Sequence, residues 1–477
     1  MTTTIYFWVI LVYLLGLVAV AVRESRSVKT QEDFAVAGRS LGTFVLFGTL
    51  LATWIGTGSI FGNAEETYRS GIAAIVIPVS SLLGIALLYF LAGRARGLKG
   101  ITVQDLLEQR YNAGARVAGT VALVIAYTTI VSYQFRAAGA VLNLALPSVP
   151  YETAVIVIAI FIIVYTALAG MLSIAYIGVI QGVTMIAGIT LVIPLFWNKA
   201  GGLEGMRQVL DPSHFDIFGP IPAIRVIGIL LPTFLLVLGD ANMYQRFFSA
   251  RNEGTAKRAV LWMLLGVGFM EFAIIVTAWI ASALEPDLEI HGRVIAYAAR
   301  DHLPPFVGAI LLTTIMAIVL STAGSYLLAP ATCLVRDMYQ RFINPKASEK
   351  QLVVLLRSAV LALGIAAYIL SQLSDDFLSV ALLAYTVYGA AITPALIAAF
   401  VWRRANAKGA MLSILSGTVV TLLWKMLLSW APDLLGAAAA VDPVIPAIVA
   451  SLIALVAGSL ATAKPAPEKV DPFFAGQ

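Results

Sequence analysis

Thr53, Gly56, Thr57, Gly58 and Ser59 interrupt an apolar run over residues 41–68 that is long enough to cross a lipid bilayer. Glycines loosen a helix at that depth, and hydroxyls give the freed backbone groups a partner. Such a break is tolerated only where the backbone lines an enclosed cavity, so the stretch points to a buried ion or solute site. The same residues also suit plain helix packing, with Gly58 and Gly62 as a small-xxx-small pair. A second hydroxyl cluster, Thr313, Thr314, Ser321, Thr322 and Ser325, lies in the apolar run 304–333. Hydroxyl and carbonyl oxygens are the ligands a hard cation such as sodium takes. Ser321 and Thr322 could present theirs to a broken helix opposite, or simply bond the carbonyl one turn back.

Charged residues inside apolar spans are the other chemical signal, because a carboxylate at bilayer depth costs several kcal/mol and is usually functional or paired. Asp240 sits in the inner half of such a span. It is suited to hold a cationic group of a solute, to relay a proton, or to pair with Arg136, which is also mid-span. Arg136 could equally contact a solute carboxylate or brace helices. Trp54, inside the first break, offers a ring face to a cation, an interaction worth about 1–2 kcal/mol when desolvated. Glu65 and Glu66 stand near the outer end of the same span, as a solvated mouth or a loop-pairing device.

The elements that must position these residues are membrane helices. Of the 477 residues 60% are hydrophobic and only 12% charged, with mean hydropathy +0.91; soluble domains carry about 25% charged residues. The chain reads as an all-α polytopic membrane protein of about thirteen spans, each near the ~20 residues a bilayer requires. These are 4–22, 41–68, 71–93, 117–143, 151–169, 172–197, 226–245, 259–283, 304–333, 353–371, 377–402, 409–430 and 443–462. The first lacks the positive flank of a signal peptide and is expected to stay uncleaved. Most of the 31 lysines and arginines fall in segments that share one side if the N-terminus is outside and the C-terminus cytoplasmic. The net charge of +5 is thus a topology signal, and no nucleic-acid partner is implied. Cys333 is the single cysteine, and His214, His291 and His302 have no metal-ligand spacing, so no intramolecular disulfide, cysteine-based metal cluster or enzymatic constellation is expected.

Four segments organise the chain: a first peripheral span and inner loop (1–40), a ten-helix core (41–402), two further peripheral spans (403–463) and a tail (464–477). The tail is rich in proline and is expected to be mobile. Spans two to eleven divide into two five-helix halves. Five is odd, so the second half starts from the opposite face, as an inverted repeat requires. Each half opens with an interrupted span, at 52–59 and at 238–242.

Several stretches resemble the sodium:solute symporter family. Ala37-Gly-Arg-Ser-Leu-Gly followed by Leu51-Ala-Thr-Trp-Ile-Gly-Thr-Gly is similar to the family's first core helix, and Gly170-Met-Leu-Ser-Ile-Ala-Tyr-Ile-Gly-Val-Ile-Gln to its fifth. Tyr244-Gln-Arg-Phe-Phe-Ser-Ala-Arg resembles the inner end of the sixth, and Leu320-Ser-Thr-Ala-Gly-Ser with Val335-Arg-Asp-Met-Tyr the eighth. The resemblance implies a LeuT-type inverted-repeat fold in the inner membrane, with sodium as the coupling ion and no other cofactor. It implies a sodium site formed by the carbonyls of Ala52, Ile55 and Ile318 and the hydroxyls of Ser321 and Thr322. Many members carry a Thr-Asp pair in the fifth core helix; Ile177 and Gly178 stand there, which disfavours a second sodium site. The first core helix looks closest to the choline-transporter branch, in which a tryptophan matching Trp54 faces a quaternary ammonium, although Asp240 and Ile130 replace other aromatic positions of that branch. The expected activity is sodium-coupled import of a small cationic or zwitterionic solute, amino-acid- or choline-like, contacted by Trp54, Thr57, Ser59, Tyr133, Gln134, Asp240 and Tyr385. The alternatives are proton coupling through Asp240, or a membrane sensor of the same fold.

Overall fold

Backbone N–H and C=O groups find no water in a bilayer core, so apolar runs of this length must satisfy them internally, as helices. The computed structural model describes residues 2–26, 28–98, 100–219, 223–373 and 377–474, and the described residues form helices throughout, with no β-strand. Lys99, one of the residues used to assign the inner side, and the last three residues of the tail lie outside them.

Helix α1 (Thr2–Ser25) packs against the core from outside. The first core span is split into α2 (Thr43–Trp54) and α3 (Asn63–Ser70), joined by the break and a π-wound turn at Gly58–Gly62. Then follow α4 (Ile77–Gly97), the short α5 (Val103–Arg110) and α6 (Ala113–Ala145). Helix α7 (Tyr151–Lys199) is two spans broken and turned at Gly170, whose φ of 65° and ψ of 176° only glycine adopts readily. The second half opens with another split span, α8 (Ala223–Gly239) and α9 (Ala241–Ser249). It continues through α10 (Glu253–Leu284), α11 (Pro305–Cys333), α12 (Glu349–Ser371) and α13 (Phe377–Val401). Helices α14 (Ala407–Trp430) and α15 (Val444–Leu460) pack on each other and on α13 at the periphery.

Ten helical runs among the described residues are individually long and apolar enough to span a membrane. The expected number is larger because α7 and the run 58–97 each hold more than one span, and because α2 and α15 are short. Both expected interruptions are real, at Ile55 (ψ 104°) and at Asp240 (ψ 113°), each in non-helical backbone.

The expected alternation of loops between two faces is visible in which loops touch. On the face assigned as inner, Arg116 pairs with Asp105 and Glu108, Arg336 with Asp105 at 3.1 Å, and Gln31 N–H donates to Glu349. On the other face, Glu66 pairs with Arg225 at 2.6 Å and so ties α3 to the start of α8, whereas Glu65 pairs with Arg69 one turn along α3 itself. The tail departs from expectation. Residues Pro467–Phe474 form a helix, α16, whose Val470, Phe473 and Phe474 are buried. Phe473 packs edge-on to Phe400, Arg403 lies over the Phe474 ring, and Lys469 Nζ donates to the Tyr111 carbonyl. The prolines that suggested a mobile segment sit at the helix start and in its last turn, and the aromatic pair docks it.

Candidate functional site

At Ile55 the chain leaves helical geometry, so the carbonyls of the last turn of α2 have no amide continuing above them. Helix α11 crosses this end and aims Thr322 at it. Thr322 Oγ1 lies 3.3 Å from the Thr53 carbonyl, 3.2 Å from that of Ile55 and 3.3 Å from that of Ile318, while Ser321 Oγ lies 2.7 Å from the Ile318 carbonyl. A threonine hydroxyl carries one proton and satisfies one of those carbonyls at a time. The Ile318 carbonyl already takes the N–H of its own helix, so the acceptors left short of a proton are those of Thr53 and Ile55 at the broken end, oxygens of the kind a hard cation takes. Thr322 thus meets Ile55 across the two helices, whereas the Ser321 hydroxyl bonds the Ile318 carbonyl one turn back in α11; Ala52 belongs to the same final turn of α2, and the Thr53 carbonyl, unanticipated, also faces Thr322. Gly56 makes the approach possible, since a Cβ there would meet Thr322 Oγ1 at 2.6 Å and Cγ2 at 2.9 Å.

Beside this oxygen cluster lies a small cavity of about 50 Å³ bordered by Trp54, Ser59, Tyr133, Gln134, Thr322 and Tyr385, among others. That is room for a few waters only, so an organic solute requires the walls to part. Tyr133 and Tyr385 face each other with their hydroxyls 3.4 Å apart. Thr57 stands behind the wall and donates to Gln134 Oε1, whereas Gln134 Nε2 has no partner among the described residues and is a donor free for a ligand. A wider vestibule of about 410 Å³, with Glu65, Arg69 and Arg225 in its lining, shares Ile229, Leu378 and Leu382 with the inner cavity, so one layer of apolar side chains divides them.

Asp240, expected to touch the solute, is not among the residues bordering the cavity. Its carboxylate caps α9: Oδ1 accepts from the N–H groups of Asn242 (2.7 Å) and Met243 (3.2 Å), and Oδ2 from Tyr326 Oη at 2.6 Å. A helix N-terminus carries unsatisfied N–H groups and the positive end of its dipole, which is reason enough for a buried acid. Tyrosines satisfy the rest of this break. Tyr127 Oη accepts from Ala241 N–H, Tyr388 donates to the Gly239 carbonyl and Tyr244 to that of Leu238. Nor does Arg136 neutralise Asp240. It pairs with Glu152 at 3.1 Å and lies over the Tyr151 ring, bracing α6 against the start of α7.

The cavity does hold an acid that the sequence reading passed over. Glu271 on α10 borders it, accepting from Ser59 Oγ at 2.7 Å and from Asn63 Nδ2 at 2.6 Å. A lone glutamate in a long apolar run was the available signal, of the same kind that marked Asp240. Arg246, also missed, is fully buried just past the second break and donates to Thr49 Oγ1, the Asn242 carbonyl and Ser325 Oγ, tying α9 to α2 and α11 below the oxygen cluster.

Residues 34–417 match the model of the sodium:solute symporter family. The chain is 26% identical to the sodium/pantothenate symporter of Escherichia coli (strain K12) over 467 residues, 94% of either protein. It is also 26% identical to the sodium/proline symporter of Salmonella typhimurium over 436 residues, 87% of this chain and 86% of that one. A solved substrate-bound, outward-open Na⁺-coupled sialic acid symporter superposes with a TM-score of 0.79 at 17% identity, covering 96% of this chain and 98% of that one.

Proposed function

The chain belongs to the sodium:solute symporter family, and from that premise we propose that sodium, held between the end of α2 and α11, drives import of a small cationic or zwitterionic solute lodged beside the first break. The ion's ligands in this reading are the carbonyls of Ala52, Ile55 and Ile318 and the hydroxyls of Ser321 and Thr322. The observation that carries the reading is the pair of broken-end carbonyls, Thr53 and Ile55, that share the single Thr322 hydroxyl in a cluster adjoining the cavity. A cation there bridges the broken helix to α11 and favours the state whose inner side is closed by the Arg246 contacts. Loss of the ion releases that bridge, and rocking of the two broken helices opens the cavity to the opposite face. Trp54, Ser59, Tyr133, Gln134 and Tyr385 contact the solute, with Thr57 holding Gln134 in place. Proline, the zwitterion named for one of those relatives, is the first solute to try, in an inner membrane with the N-terminus outside.

Uptake by proteoliposomes tests this. Replacing external sodium by potassium abolishes concentrative uptake, and Ser321→Ala with Thr322→Ala raises the sodium concentration for half-maximal uptake. Undiminished uptake in potassium refutes sodium coupling; an unchanged sodium dependence in the double variant refutes the ion's placement.

A further inference from the structure

Glu271 is 3% exposed and at mid-length of α10, an apolar helix of 32 residues. Its two oxygens accept one hydrogen bond each, from Ser59 and Asn63. Both donors lie just beyond the first break, Ser59 in the π-wound turn and Asn63 at the start of α3. A carboxylate has about four lone-pair sites, so roughly half its accepting capacity is unused. Both donors are neutral, and no lysine, arginine or histidine is among the described residues bordering the cavity. An ionised acid at bilayer depth is expensive unless a counter-charge accompanies it, and the space from which one can arrive is the cavity itself. The rest of the wall suits a cation, since Trp54, Tyr133, Tyr326 and Tyr385 place aromatic rings around the same small volume and ring faces attract cations.

We infer that Glu271 is the anionic anchor of the solute site and binds the ammonium group of an organic ammonium solute. This rests on the reading of the chain as a sodium-coupled symporter. The role expected of Asp240 passes to Glu271, because Asp240 is spent on capping α9 while Glu271 faces the cavity with capacity to spare. A solute whose charge beside Glu271 is negative is repelled, since like charges brought together out of water cost several kcal/mol. Ser59 and Asn63 position the carboxylate, and through them solute binding is felt by the broken helix that also ends at the sodium ligands.

The test is the thermal shift of the purified full-length protein in sodium and in potassium chloride, alone and with choline, L-proline, the neutral choline isostere 3,3-dimethylbutan-1-ol, or pantothenate. A ligand that binds the folded state alone raises the apparent stability by mass action. Sodium alone stabilises the wild type; in sodium, choline or L-proline stabilises further and the neutral isostere does not. Glu271→Gln keeps the sodium shift, which shows it folded, and needs roughly tenfold or more of the ammonium probe for half-effect. Glu271→Asp, which keeps the charge, retains part of the response. An unchanged ammonium response in Glu271→Gln, no ammonium response in the wild type, or a response to pantothenate alone overturns the assignment. Absence of the sodium shift in the wild type instead overturns the sodium reading beneath it, so the two failures are distinct.

Discussion

Gly56→Ala is the sharpest probe of how the first break meets α11. The added methyl would sit 2.6 Å from Thr322 Oγ1, 2.9 Å from its Cγ2 and 3.1 Å from its Cβ. Rotating the threonine exchanges one close contact for the other, so the side chain cannot step aside and the two backbones must separate. Overpacking of this kind costs about 1–3 kcal/mol. If sodium is held across that contact, much of the cost falls on the bound state, where the ligands must close up. Each 1.4 kcal/mol is tenfold, so the sodium concentration for half-maximal thermal stabilisation rises by about 5- to 150-fold. Gly16→Ala is the control, because Gly16 lies in α1 with nothing within 4 Å of an added Cβ; alanine there is neutral or mildly stabilising. The assay is the melting temperature of each protein across a sodium titration at constant ionic strength. A Gly56→Ala protein with both its melting temperature in potassium and its sodium half-effect unchanged refutes the proposed contact. A lowered melting temperature with an unchanged sodium half-effect refutes the placement of the ion while sparing the packing argument.

Asp240→Asn keeps an oxygen for the Asn242 and Met243 amides but loses the charge at the helix terminus; the expected cost is about 1–2 kcal/mol of stability with sodium-coupled uptake retained. Abolished uptake in a protein of unchanged melting temperature returns Asp240 to a coupling role. On the inner face, burial raises the Asp105 carboxyl, but the Arg336 and Arg116 guanidiniums beside it outweigh burial and hold it below the usual carboxylate range. Its stabilisation is therefore present above the ~3.9 of an unfolded aspartate and lost as pH falls through the lower folded value. The melting-temperature gap between wild type and Asp105→Asn narrows in that acidic window, and a gap independent of pH contradicts the pairing. Phe473→Ala removes the ring that packs on Phe400, a loss of about 3 kcal/mol if the site is as closed as a core. Limited proteolysis then cuts the tail at least several-fold faster; an unchanged rate means α16 is not held by that ring.

Some of this was written locally. The spans follow from hydropathy, because a bilayer admits only helices of a set length. The breaks at 52–59 and 238–242 show in the chain because glycines, hydroxyls or an acid stand out inside an apolar run. The pairing of Thr322 with Ile55 came from resemblance, since those groups are more than 260 residues apart. The tail misled because proline content speaks against a long helix and says nothing of a short one that finds two aromatic contacts.

The two acids mark the boundary most clearly. Asp240 and Glu271 are both single carboxylates in apolar spans, and from sequence both carry the same penalty and the same suspicion. By itself the sequence determined that each must be satisfied, since an ionised group at bilayer depth cannot be left alone. The amides that cap onto Asp240 are local, two and three residues on, but its Tyr326 partner and both partners of Glu271 were decided by the tertiary structure. The amides of α9 and a tyrosine from α11 close around Asp240, while Ser59 and Asn63 leave Glu271 half satisfied at the wall of a cavity. Hydropathy is a property of one segment, but hydrogen bonds and counter-charges belong to whichever helices meet, and that meeting is made by packing between residues far apart in the chain.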